Sequence, residues 1–178
     1  MKISSGHHDN EAGLVEMFRA SFAESEGEEE GALIAQLVRK LLETPADDRF
    51  VFTAQANGTL LGGIVFSRLR YELDKRTVFV LGPVAVAPGH QRKGVGQKLI
   101  TGGLDKLRGS GVDIAMTYGD PAYYSKVGFR PISEAEAPAP FALQHPEGWL
   151  AQSLTGQAIG RLAGRSHCVE AFNDPVFW

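Results

Sequence analysis

The chain predicts a mixed α/β (α+β) domain with a central, mostly antiparallel, splayed sheet flanked by helices, and three stretches predict it. Phe50 to Ala56 and Leu60 to Arg70 are apolar, strand-like runs on either side of Asn57-Gly58, the pair a tight hairpin prefers. Thr77 to Val86 is a third antiparallel run, interrupted by Gly82-Pro83. Proline cannot donate to a ladder and glycine tolerates a bulge, so the strand should splay from its neighbour there. Beyond it, Ile100, Leu104 and Leu107 recur at helical spacing, with Val95 and Leu99 on the same stripe, before a second buried run from Val112 to Tyr118. Strand, helix and strand make one parallel crossover.

The remaining elements follow in order. Met1 to Ser5 reads as a short strand. Asp9 or Asn10 can cap a helix that buries Leu14, Phe18 and Phe22. His7 and His8 are adjacent and cannot share a helical face as metal ligands would, so both are read as loop residues. Acid is concentrated from Glu24 to Glu30, ahead of a second helix with Ile34, Leu37, Val38 and Leu41 inward and Arg39-Lys40 near its end. Both charge blocks complement the helix dipole. A polar loop, Glu72 to Arg76, joins the second and third strands of the meander, and Gly109-Ser110-Gly111 ends the crossover helix. From Pro131 onward only Trp149 to Leu154 and Ser166 to Phe172 look strand-like. Ala135 to Pro140 resembles a linker, and residues 135–178 carry the weakest periodic signal. His145 and His167 read as surface or structural residues. Phe177-Trp178 covers either the core or a subunit contact, a homodimer in the second case.

Composition narrows the class. At 178 residues and 43% hydrophobic content, one domain over residues 1–178 is expected. A net charge of −3 argues against general nucleic-acid or membrane-surface binding. The single cysteine, Cys168, excludes an internal disulfide, and no Cys/His cluster has zinc-site spacing, so no metal is expected. With no 18-residue apolar run and no signal-peptide core after Met1-Lys2, a cytoplasmic location is expected.

The sharpest signal lies where the third strand meets the crossover helix. Gln91-Arg92-Lys93-Gly94-Val95-Gly96 can curl tightly around its glycines and bring several N–H groups to one anion. First-turn N–H groups lack intrahelical partners, the helix dipole adds positive potential, and Arg92 and Lys93 add full charges. A diphosphate would fit this cradle. A dinucleotide fingerprint fails because Leu99 stands where its third glycine belongs, and no Gly-Lys-Ser/Thr P-loop is present.

These six residues match the Q/R-x-x-G-x-G/A signature of the GCN5-related N-acetyltransferases, and the chain resembles that superfamily. Asp120-Pro121-Ala122-Tyr123-Tyr124, followed by Gly128-Phe129, is similar to the family's second signature and closest to a bacterial subgroup with a GDPAYY segment. The resemblance spans Phe50 to Ile132. It implies a GNAT-like fold, with acetyl-CoA as co-substrate and no metal. It also implies that Gln91, Arg92, Lys93, Gly94, Val95 and Gly96 hold the diphosphate, and that Val84, Ala85 and Val86 bond the pantetheine like an added strand. Asp120, where many relatives carry asparagine, and Tyr123, the packing partner of Tyr124, complete the implied cofactor-binding set. Tyr124 is the implied general acid. In that family the first two helices help wall the acceptor site, so the acid at Glu28, Glu29 and Glu30 could attract a cationic amine.

The implied reaction is N-acetylation of a small-molecule or peptide primary amine by direct attack in a ternary complex. An amine of pKa about 10.4 and a thiol of about 8.5 both need proton management at neutral pH. Backbone N–H groups beside the bulge could bind a developing oxyanion. Cys168 lies outside both motifs and has no adjacent base. Glu72, Asp74 and the Glu28 cluster are the candidate bases, a water chain being the alternative. Two other function classes are left open: a catalytically silent acyl-CoA sensor or interaction subunit, and a nucleotide-binding oxidoreductase, against which Leu99 and the antiparallel meander speak.

Overall fold

A computed structural model describes residues 1–7 and 10–178. The loop reading of His8 and the cap alternative at Asp9 fall outside the described residues. Strands order as β1-β2-β3-β4-β5-β7-β6, with β8 added beside β3. The ranges are β1 Lys2–Ser5, β2 Arg49–Ala56, β3 Thr59–Tyr71, β4 Asp74–Val86, β5 Ile114–Tyr118, β6 Arg130–Pro131, β7 Trp149–Ser153 and β8 Ser166–Cys168. Pairing is antiparallel for β1–β2, β3–β8, β5–β7 and β6–β7, and parallel for β4–β5. The mixed α/β class and the mostly antiparallel open sheet expected from the sequence are both present. The chain divides into two compact units, residues 1–66 with 83–103 and residues 67–82 with 104–178.

In the first unit, α1 (Glu11–Glu26) and α2 (Glu28–Glu43) are separated only by Gly27, whose φ of 102° makes the reversal. Asn10 caps α1, its side chain accepting from Gly13 N at 3.1 Å. Leu14 and Phe18 are buried as expected, but Phe22 is half-exposed and Ser21 takes the inward place. The Ser21 hydroxyl can enter because it donates to Val86 O at 3.0 Å, leaving no unpaired polar group behind. A Cβ on Gly31 would lie 2.7 Å from Arg19 O, so glycine lets the two helices cross closely. Asn57 (φ 50°) and Gly58 (φ 77°) form the expected hairpin between β2 and β3. In β3, a Cβ on Gly63 would press on Leu14 and Phe18, and one on Gly62 on Leu99 and Ala85 O. Adjacent strand residues face opposite sides, so this glycine pair admits α1 on one face and α3 (Val95–Gly109) on the other.

The second unit corrects three expectations. The polar loop Glu72 to Arg76 shrinks to a turn at Glu72-Leu73, because Glu72 N and Leu73 N donate to Arg165 O and Ala163 O and β4 resumes at Asp74. Ala135 to Pro140 is packed, not a linker. Ala137 is fully buried, its carbonyl accepts from Trp149 Nε1 at 2.8 Å, and Pro138 O accepts from the Tyr71 hydroxyl at 2.9 Å. The run Ser166 to Phe172 is strand only to Cys168, then one 3-10 turn over Glu170–Phe172. Trp178 is buried, donates from Nε1 to Phe172 O at 3.0 Å and packs against Tyr118, Trp149 and Phe172, so it covers the core of this unit. Among the described residues, no helix is long and apolar enough to cross a membrane.

Candidate active site

The course of β4 sets the geometry. Thr77 O accepts from Asp113 N and Leu81 O from the Thr117 hydroxyl, so odd-numbered residues there face β5. Past the interruption the phase is reversed: Ala87 N donates to Leu61 O, and a Cβ on Gly62 would lie 2.8 Å from Ala85 O, so odd-numbered residues now face β3. Backbone direction alternates strictly along a strand, so one extra residue is inserted around Gly82-Pro83, a bulge. The β4–β5 register ends at Leu81↔Thr117, and β4 runs on to Val86. The register thus ends one residue before Gly82-Pro83.

The first unit carries the end of β4 and the glycine turn. The phase reversal divides the trio Val84, Ala85 and Val86. Val84 and Val86 turn their backbone groups away from β3, while Ala85 turns them toward it. Val86 O already accepts from Ser21 Oγ and, at 3.2 Å, from Gln91 Nε2. The chain then turns through Gly89 (φ 80°), Arg92 (φ 59°) and Gly94 (φ 78°) into α3. Gly96 is not left-handed and is buried in the first turn of α3. A non-glycine residue in this region costs about 1–2 kcal/mol, so the turn holds some strain. Gln91 to Gly94 are exposed. Lys98 N makes the first helical bond, to Gly94 O, and among the hydrogen bonds of the described residues none uses the backbone N–H of residues 91–97. A Cβ on Gly94 would meet nothing within 4 Å, so φ and not packing demands glycine. Lys93 Nζ is braced on Gly89 O at 2.8 Å. Unspent N–H groups at a helix start, with Arg92 beside them, suit a diphosphate.

The second unit carries the tyrosine segment. Asp120 caps the single helical turn α4 (Pro121–Tyr124), its Oδ1 accepting from Ala122 N at 2.9 Å. Its carboxylate therefore has a structural task. The Tyr124 ring lies across Gly119, where a Cβ would come within 2.7 Å of it, and meets Tyr123 and buried Phe129 edge-on at 5.1 and 5.8 Å. Burial pushes the Tyr124 phenol up to about 12, opposed by a hydrogen bond with Thr117 and aided by Tyr123 and Asp120. Burial also raises Tyr123. Thr117, itself buried, donates from its hydroxyl to Leu81 O, the last β4 residue in register with β5. Gly128 (φ 96°) turns the chain, and a side chain there would overlap Gln152.

Three of the candidate bases, Glu72, Asp74 and Glu28, are ion-paired. Glu72 pairs with His167 and Asp74 with Arg76, each at 2.8 Å, and these hydrogen bonds hold both carboxyls below their usual range. Glu28 is paired with Arg19 at 2.8 Å. Burial lifts the Cys168 thiol to about 11, far from a poised nucleophile. Ser21, Gly62-Gly63, Thr117 and Gly119 escaped the sequence reading. Of these, only the glycine pair inside a strand carried a signal that could have found it.

The family model "Acetyltransferase (GNAT) family" matches residues 12–129. The chain is 34% identical over 142 residues to the uncharacterized N-acetyltransferase YjhQ of Escherichia coli, covering 76% of this chain and 78% of that one. The Escherichia coli GNAT family N-acetyltransferase YhbS, solved in complex with CoA, superposes with a TM-score of 0.83 at 24% identity, over 97% and 92% of the two chains. A GNAT family acetyltransferase from Brucella melitensis in complex with acetyl-CoA gives 0.70 at 25% identity, over 96% and 97%.

Proposed function

Because the chain belongs to the acetyltransferase (GNAT) family and is an acetyl-CoA-dependent acyltransferase, we propose that its two units serve one domain that acetylates a primary amine by direct attack. The observation that carries this reading is the row of unspent N–H groups over residues 91–97, entered through left-handed Arg92 and Gly94, at the end of a strand that has left its parallel partner. In this reading Gln91 to Gly96 hold the diphosphate. Val84, Ala85 and Val86 are assigned to the pantetheine, with the Val86 carbonyl already taken by Ser21 and Gln91, and Asp120 and Tyr123 complete the cofactor-binding set.

Acetyl-CoA supplies the activated acyl group. The amine nitrogen bonds to the carbonyl carbon, the carbon–sulfur bond breaks, the amine gives up a proton to solvent or a water chain, and the sulfur takes one. Tyr124 presents an O–H to that sulfur. A phenol lifted to about 12 stays protonated throughout the neutral range, and it regains its proton from solvent. Backbone N–H groups at the bulge stabilise charge on the carbonyl oxygen, and holding both substrates supplies proximity.

Calorimetric titration with acetyl-CoA, CoA and NADH, followed by a thiol-release screen over amine panels, tests this. Saturable acetyl-CoA binding with thiol release on adding an amine is expected. Binding without release would favour a silent acyl-CoA sensor, and absence of binding would overturn the reading.

A further inference from the structure

The β4–β5 register ends at Leu81↔Thr117, and continued by one residue it would set Tyr118 opposite Gly82. At that end of β5, within the second unit, a cavity of about 280 Å³ opens between residues 118–121 and residues 145, 147 and 148. One aromatic wall joins it to the bulge: a Cβ on Gly82 would lie 3.8 Å from Phe172 Cζ, Phe172 packs on Trp178 at 6.0 Å, and Trp178 stacks on Tyr118 at 6.5 Å. Strand alternation then separates two faces of β5. Thr117 and Gly119 share the face on which the Tyr124 ring lies. Tyr118 points to the other face, where its hydroxyl accepts from His145 N at 2.7 Å. His145 and Glu147 stand exposed at this cavity, imidazole Nδ1 3.5 Å from carboxylate Oε1, and Nε2 enters no hydrogen bond among the described residues.

We propose that the acyl acceptor enters this cavity as a compact primary amine with no acidic group of its own, and that His145, oriented by Glu147, is the base that takes its proton. The assignment rests on the acetyltransfer reading above and puts a side chain in the place of its water chain. With Nδ1–H turned to Glu147, a neutral imidazole keeps Nε2 as an acceptor. The amine nitrogen bonds to the carbonyl carbon and its proton passes to Nε2, so that the imidazolium formed is held by the Glu147 carboxylate in a charge-assisted contact. The carbon–sulfur bond breaks, the sulfur takes the Tyr124 proton, and solvent restores both side chains. Attack and departure are thus served from opposite faces of β5. Asp120 and Glu147 line the cavity and no lysine or arginine does, so a carboxylate on the acceptor would meet like charge. The small volume favours an amine on a short apolar or aromatic body.

The test reads thiol release with phenethylamine, phenylalaninamide and phenylalanine across pH on the wild type, His145→Ala and Glu147→Gln, with acetyl-CoA binding to each protein read by calorimetry. Phenethylamine should exceed phenylalanine in kcat/KM by roughly 10-fold or more, with the amide between them, and Glu147→Gln should narrow that gap. His145→Ala should lower kcat by roughly 100-fold or more, the lower end of what a positioned base contributes, while acetyl-CoA affinity holds. Tyr118, Asp120 and Glu147 are the titratable groups that share the cavity with His145. The acid limb of kcat against pH should therefore be lost in His145→Ala and kept in Glu147→Gln, and added imidazole should restore part of the rate to His145→Ala. Unchanged kcat in His145→Ala, or an acid limb that survives in it, would overturn the base assignment. Turnover of phenylalanine equal to or above that of phenethylamine would overturn the acceptor class, while intact acetyl-CoA binding and thiol release left the acetyltransfer reading standing. Failure of the wild type to bind acetyl-CoA would remove both.

Discussion

The glycine turn at residues 91–97 and the tyrosine segment are both short connections that carry glycine between a strand and a helix, and they use their atoms in opposite ways. In the turn, residues 91–97 leave their N–H groups unspent, Gly94 faces open space, and shape is kept by small braces such as Gln91 Nε2 on Val86 O. In the tyrosine segment nearly every group is committed: Asp120 caps, Tyr124 lies on Gly119, Phe129 is buried, and Gly128 makes room for Gln152. A binding surface must hold its donors in reserve for a ligand, whereas a proton donor must be fixed before the ligand arrives. Substitutions should therefore separate affinity from rate.

Gly94→Val should produce the largest effect. Any side chain is strained at a φ of 78°, and a branched one fills the cradle. Acetyl-CoA affinity should fall by roughly 100-fold or more in calorimetry, while the melting temperature drops only by the few degrees that about 1–2 kcal/mol of strain implies. Wild-type affinity would show that the turn serves packing alone.

Tyr124→Phe should do the reverse, lowering kcat by roughly 10- to 100-fold with acetyl-CoA affinity nearly unchanged. Its pH dependence has a definite sign. A phenol raised from 10.0 to about 12 contributes stability that is full below pH 10 and is lost as pH rises through about 12. The wild type should therefore show a loss of stability across that window that the Phe variant lacks, and no alkaline loss of kcat from this group at lower pH. An unchanged kcat in the variant would end its role as acid.

Gly119→Ala should be milder, since a Cβ 2.7 Å from the ring moves Tyr124 without removing its hydroxyl. A roughly 5- to 10-fold fall in kcat is expected, with about 1–3 kcal/mol of overpacking seen in denaturant titration. Gln91→Ala should have the smallest effect. Loss of the brace on Val86 O should weaken acetyl-CoA binding a few-fold, and kcat should hold.

The hairpin at Asn57-Gly58, the break at Gly82-Pro83 and the buried stripe of α3 were legible because each depends on nearest-neighbour backbone geometry or on helical periodicity. The tail was not. Ala137 is buried and Pro138 immobilised by Trp149 and Tyr71, partners distant in sequence, and nothing in an Ala/Pro-rich string announces that its carbonyls will be claimed. The partners of the candidate bases were hidden for the same reason: a carboxylate in sequence looks free until Arg76 or His167 is seen beside it.

By itself the sequence determined the mixed α/β class, the glycine turn and the tyrosine pair, all of which follow from local chemistry at fixed spacing. Only the tertiary structure decided that Arg92 joins Gly94 in the left-handed region, that Ala85 faces β3 while its neighbours face away from it, and that Asp120 is spent on a cap. Those outcomes depend on strand phase and on competition among hydrogen-bond partners, which are settled only when distant segments meet.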